Sequence, residues 1–258
     1  MEYSSIASLY RVAVQEGQGL GTAYEYYVKH RLIRKSFERV GYPKSILIAG
    51  LPEKYGYSID FVMLADRLNV PVVVVDDNAN KMDEFARVCS AAKGSGFLSD
   101  RLNMHTVLVN DWSSVHLGQM FDAAMSCGVL QRLPSREKED YVNRLGQSAR
   151  LVALFAPNAG NAAHAKITQL RTVSLSEMRG LMMNAGFRLI DSGYVDMPPL
   201  PPGLKWEGLR KPSASRKGVQ SIALRLLALW SHTEKALSPL KPRGAHIVYS
   251  IGQPTVTS

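Results

Sequence analysis

Five short apolar runs, each followed by a different periodicity, set the tightest limit on how this chain can fold. They lie at 44–49 (KSILIA), 70–75 (VPVVVV), 104–109 (MHTVLV), 121–125 (FDAAM) and 149–155 (ARLVALF). Runs without polar alternation read as strands buried on both faces, and Pro71 is tolerated because it falls at a strand start. Between them, 59–68, 81–92 and 137–148 carry apolar residues at helical spacing. Strands alternating with helices predict a mostly parallel sheet with helices on both faces and right-handed crossovers.

The C-terminal third continues the alternation. Residues 174–185 predict a helix opened by Ser174 with Glu177 three positions on, a capping-box spacing, and closed by Gly186. Residues 187–196 predict a strand, and 197–203 (MPPLPPG) no regular element. The basic stretch running to Gly218 is expected to be a surface loop, 219–229 a helix and 246–251 a last strand. The expected organisation is a leader over 1–43, containing a helix at 24–40 with Val28, Leu32 and Ile33 on one side, and an α/β domain over 44–258.

Composition narrows the functional classes. Apolar residues make up 46% and charged residues 21% of 258 positions, as in soluble globular proteins. No apolar run reaches the roughly 20 residues that span a bilayer, and residues 1–10 lack the pattern of a signal peptide, so a cytoplasmic location is expected. Two cysteines, Cys89 and Cys127, support neither a disulfide framework nor a four-cysteine metal site; both read as buried thiols, and no metal is expected. The net charge of +9 favours anionic partners, but the basic residues are dispersed without an interleaved aromatic ladder, so nucleic acid is not the expected one.

In open α/β sheets ligands bind outside the carboxyl ends of the strands. After the first strand, Gly50, Leu51 and Gly56 form a turn where a ligand can approach the backbone. Five residues separate the two glycines and Tyr57 follows, which excludes a P-loop; a G-x-G-x-x-G fingerprint is also absent. After the second strand stand Asp76, Asp77 and Asn78. A carboxylate there can accept ribose hydroxyls or cap the next helix. Asn110, Asp111 and Trp112 follow the third strand, where Asp111 could accept from an adenine amino group with Trp112 beside the ring, or simply cap. Ser126 and Cys127 follow the fourth. Candidate bases are His105, His116, His164 and the leader tyrosines, and spacing selects none of them; the cluster Tyr24, Glu25, Tyr26 and Tyr27 could roof the site or pack in the core.

In this order the residues resemble the class I S-adenosylmethionine-dependent methyltransferases of the small-molecule branch, over about residues 44–251. The resemblance rests on the glycine turn, on Asp77-Asn78-Ala79-Asn80-Lys81-Met82 after strand two and on 121–133 (FDAAMSCGVLQRL) around strand four. It implies a Rossmann-like seven-stranded sheet with the last strand antiparallel. It implies S-adenosyl-L-methionine as cofactor, held by Gly50, Leu51, Gly56, Asp76, Asp77, Asn78, Asn110, Asp111, Trp112, Ser126 and Cys127, and a small-molecule substrate, an acidic one among the options. Ile48 stands where the family usually carries an acid, and the glycine turn is lengthened by Pro52 and Lys54. These departures motivate a second reading, a non-catalytic binding or scaffold protein on the same fold. A nicotinamide-dependent oxidoreductase is a third, weakened by the absent fingerprint. The Asp/Asn-Pro-Pro-aromatic motif of nucleic-acid amino methylation is missing after strand four. Self-association into a homodimer is left open.

Overall fold

The structure is a computed structural model, and it describes residues 5–54, 56–112, 118–199, 214–234 and 237–255. Seven strands form one sheet: β1 (Ile46–Ala49), β2 (Val72–Asp76), β3 (Met104–Leu108), β4 (Ala123–Cys127), β5 (Val152–Pro157), β6 (Phe187–Val195) and β7 (Ile247–Pro254). Their order is β3-β2-β1-β4-β5-β7-β6, parallel except for β7, which runs antiparallel to both neighbours. This is the expected architecture. Strand order reverses between β1 and β4, so the crevice expected of such a sheet opens at Ala49–Gly50 and Cys127–Gly128.

Alternate residues along the strands feed two separate cores. Ile46, Ile48, Val72, Val74, Met125 and Phe155 face α1 (Ile6–Gln15), α2 (Leu20–Val40), α3 (Ile59–Leu68), α4 (Ala79–Gly94) and α8 (Ala214–Thr233). Leu47, Ala49, Val75, Ala124 and Leu154 face α5 (Ser135–Ser148) and α7 (Leu175–Asn184). Every residue of β1, β4 and β5 is buried, which is why these runs lack alternation.

Three elements differ from the sequence-based expectation. Helix α1 precedes the expected leader helix, capped by Ser5 accepting from Ser8 N–H, and α6 (Ala162–Thr168) follows β5. Residues 214–218 are helical rather than loop, because Ala214, Arg216 and Lys217 favour helix and Gly218 interrupts too briefly to stop it. Neither Asp76 nor Asp77 caps α4; Asn78 does, accepting from Lys81 N–H at 3.1 Å. Ser174 caps α7 as expected, but the Glu177 carboxylate pairs with Lys138 at 2.6 Å instead of closing the box.

Helix α5 is fastened to the crevice by Tyr141, whose buried hydroxyl lies 2.7 Å from both the Ala49 carbonyl oxygen and Ser126 Oγ. Tyr141→Phe strands both groups in the core and should cost about 2 kcal/mol in urea unfolding. An unchanged midpoint would show that this contact contributes nothing.

Candidate functional site

Gly50 turns the chain at the end of β1 with φ +81°, a conformation that favours glycine. A Cβ there would lie 2.4 Å from Val129 Cγ2 and 3.3 Å from the Trp112 ring, so the close packing also needs glycine. The next amide, Leu51 N–H, donates to Asp76 Oδ2 at 2.7 Å. Asp76 is wholly buried; its Oδ1 accepts from Asn78 N–H at 2.8 Å and its Oδ2 also accepts from the Arg132 guanidinium at 3.0 Å. Burial pushes the Asp76 carboxyl above the usual carboxylate range, and Arg132 and the two amides oppose that rise.

Asp77 is the more open acid, with 27% of its side chain exposed. It pairs with Arg132 at 3.0 Å and accepts from Trp112 Nε1–H at 3.0 Å. The carboxyl ends of β1, β2 and β3 thus meet at one corner. The Trp112 indole packs in the core on the α5 side of the sheet and meets the Tyr141 ring edge-on at 4.9 Å between centroids. A hollow of about 10 Å³ remains between Ala49, Val75, Trp112, Tyr141 and Leu145, room for one water at most. Asn110 and Asp111 lie exposed beside Trp112, and Asn78 is exposed at the α4 cap. Ser126 is committed to Tyr141.

On the other side of Gly50 the leader packs a buried polar cluster against the sheet. Gly56 (φ +73°) leaves room for the Tyr26 hydroxyl, which donates to buried Glu16. The other Glu16 oxygen accepts from Tyr57 N–H at 2.9 Å and Ile59 N–H at 3.3 Å at the start of α3. Burial raises the Glu16 carboxyl to about 7 against these donors. Lys29 Nζ is buried at 2.9 Å from Glu25, 3.3 Å from Asp60 and 3.5 Å from Cys127 Sγ. Burial opposes its charge, but the carboxylates of Asp60 and Glu25 outweigh that and hold it protonated. Burial raises Cys127 to about 12, so this residue is a neutral thiol and not a nucleophile at neutral pH.

Three further groups stand at the same edge. His246 opens β7, and its Nδ1 pairs with Asp196 Oδ2 at 3.0 Å just past β6. The His164 ring stacks on His246, with centroids 4.2 Å apart and planes 11° apart. Burial would lower His246, but Asp196 reverses this and raises it, so the shared proton rests on the ring. Burial and the His246 charge lower His164 to about 4, leaving it neutral at pH 7. Among the described residues, Ser58 Oγ, Gln131 Oε1, His164 Nδ1 and Asp196 Oδ1 are buried without a hydrogen-bond partner. They follow β1, β4, β5 and β6, so unmet hydrogen-bonding capacity concentrates along the carboxyl edge.

Of the candidate bases, His164 stands at the carboxyl edge, stacked on His246. His105 lies on the exposed edge strand β3, and His116 lies outside the described residues. Tyr24 and Tyr26 are buried in the core, where Tyr24 donates to Glu234, while Glu25 pairs with Lys29. Lys29, Asp60, Asp196 and His246 were not singled out from sequence. His246 was within reach, because a final antiparallel strand begins at the carboxyl edge. Asp196, at φ +66°, and the Lys29–Asp60 pair depend on tertiary contacts.

No family model and no curated protein sequence matches the chain. Solved structures do. The chain is similar to the magnesium protoporphyrin IX methyltransferase of Synechocystis PCC 6803 with bound SAH, at 11% identity and TM-score 0.53, covering 99% of this chain and 90% of that one. It is similar to the methyltransferase domain of bacterial CtHen1, at 9% identity and TM-score 0.55, covering 89% and 98%. A putative sarcosine dimethylglycine methyltransferase from Galdieria sulphuraria matches at 10% identity and TM-score 0.54, covering 91% and 87%. The chain has the class I methyltransferase fold.

Gly50→Ala should destabilise the protein by about 3 kcal/mol in urea unfolding, from the positive φ and the clash with Val129 together. Val129→Ala in that background should restore part of the loss. A Gly50→Ala protein as stable as the parent would overturn the packing described at this corner.

Proposed function

We propose that the chain binds S-adenosylmethionine at the carboxyl edge of its sheet and methylates a small molecule. The observation that carries this reading is the hydrogen bond from Trp112 Nε1 to Asp77 beside Gly50, which joins the ends of three strands where the fold holds a nucleoside. The donor set fits such a group. Asp77 is a partly exposed carboxylate suited to vicinal hydroxyls, and the Gly50 turn brings backbone beside it. Asp76, wholly buried and fully engaged, holds the loop in place for Asp77. The unpartnered oxygens of Ser58 and Gln131 suit the polar end of the ligand.

When bound, the cofactor supplies an electrophilic methyl group on a sulfonium. The chain's own residues hold the acceptor and manage its proton. Asp196 fixes the His246 ring through Nδ1 and keeps its proton there. His246 stacks beneath His164 and keeps it neutral, so an unprotonated nitrogen of His164 can take a proton from the acceptor. The leader helices keep water from this flank of the turn, with Tyr26 over Gly56 and Lys29 locked between Glu25 and Asp60. An anionic acceptor matches the chain's charge of +9.

The same corner favours one alternative. Arg132 occupies both acids, as expected of a non-catalytic relative. Binding of the cofactor requires Arg132 to release Asp77.

Calorimetric titration should show saturable binding of S-adenosylmethionine and its demethylated product, and none of nicotinamide dinucleotides. Asp77→Ala should weaken that binding at least about tenfold. No heat from either adenosyl ligand would favour the non-catalytic reading.

His164→Ala should lower methyl transfer from labelled cofactor into an ultrafiltered small-molecule extract by about 100-fold, while cofactor binding stays unchanged. Because His164 titrates at about 4, wild-type turnover should persist as pH falls from about 8 to about 5 and fail near pH 4. Full turnover by the variant would remove His164 from the reaction.

A further inference from the structure

We propose that two copies of this chain join edge to edge through β3 and continue one sheet across a two-fold axis. Strand β3 ends the sheet, with β2 as its neighbour. Val72 N–H donates to the Asn103 carbonyl oxygen at 2.9 Å, and Val109 N–H donates to the Asp76 carbonyl oxygen at 3.0 Å. Backbone groups alternate in direction along a strand. Asn103, His105, Val107 and Val109 therefore direct theirs at β2, and Met104, Thr106 and Leu108 direct theirs outward. Among the described residues, no backbone group pairs with this outer row. The side chains are open as well. His105, Thr106, Val107 and Leu108 are exposed on both faces of the strand, Val107 at 36% and Leu108 at 55%.

The residues of β3 point to a second copy as the occupant. Natural sheets guard an edge that stays single with charge, proline or a bulge. The opposite edge is guarded in this way: β6 carries Arg188 and Asp191 and a register shift between Leu189 and Asp191. Strand β3, Met-His-Thr-Val-Leu, holds no carboxylate, lysine, arginine or proline and pairs with β2 without a break in register. Two-fold pairing requires one surface to complement itself. An antiparallel ladder centred on Thr106 meets that requirement. Each Thr106 exchanges both backbone hydrogen bonds with its counterpart, Met104 stands across from Leu108 of the second copy, and roughly six hydrogen bonds form. Beyond the strand ends, the same register sets exposed Arg101 of each copy across from exposed Asp111 of the other, so the charges at the margin attract. This inference does not rest on the cofactor reading, because the outer row of β3 faces away from β1 and β4.

Sedimentation equilibrium of the full chain tests it. A ladder of five residues is smaller than a standard interface, so monomer should give way to dimer between about 1 and about 100 µM. Thr106→Pro removes an outward N–H and leaves the bonds to β2 in place; it should stay monomeric over that range with an unchanged Tm. Thr106→Cys should form an intermolecular disulfide on mild oxidation, because hydrogen-bonded partners in an antiparallel pair lie about 5.5 Å apart at Cα. Met104→Cys, roughly 14 Å from its own counterpart in this register, should cross-link at least about tenfold more slowly. Native Cys89 and Cys127 are buried and stay out of this reaction. A wild-type chain that is monomeric throughout would overturn the proposal and leave the edge to a strand of a different protein. So would a dimer that survives Thr106→Pro, or Met104→Cys cross-linking as fast as Thr106→Cys.

Discussion

The buried carboxylate of Asp76 is the junction on which the carboxyl edge depends. It receives Leu51 N–H from the loop after β1, Asn78 N–H from the turn after β2 and the Arg132 guanidinium from beyond β4. A buried charge is costly unless its partners are all in place, so removing one leaves the others poorly satisfied. This makes the three loops a cooperative unit. It also explains how two adjacent acids divide their work: Asp76 is consumed by structure and Asp77 is left facing the crevice.

The leader belongs to the same site. Its second helix brings Lys29 into a pocket of opposite charge formed by Glu25 and Asp60, and brings Tyr26 and Glu16 onto the glycine turn and the start of α3. These contacts give a physical reason for Gly56. A side chain there would collide with the Tyr26 hydroxyl, so the longer loop between Gly50 and Gly56 is shaped by the leader that packs on it.

Much of the fold was legible in the sequence, because β1, β2, β4 and β5 are buried on both faces and so appear as unbroken apolar runs. Gly50, Gly56, Asp77 and Trp112 could also be placed, since strand ends fix where a ligand can sit. The rest was not legible for specific reasons. Arg132 lies in a short 3-10 turn, Leu130–Arg132, and nothing local shows that it reaches back to β2. Residues 50 and 210 positions apart in sequence meet only in the folded chain, as in His246–Asp196 and Tyr24–Glu234. The start of α8 was masked by a basic stretch whose composition resembles a loop.

The central claim is that one nucleoside can occupy the corner formed by Gly50, Asp77 and Trp112. A crystal structure of the protein grown with saturating S-adenosylhomocysteine tests it most directly. The expected result is a ribose on the Asp77 carboxylate, adenine beside the Trp112 indole and the Arg132 guanidinium turned away from Asp77. Arg132 still bridging Asp76 and Asp77, with the ligand absent or bound elsewhere, would contradict it.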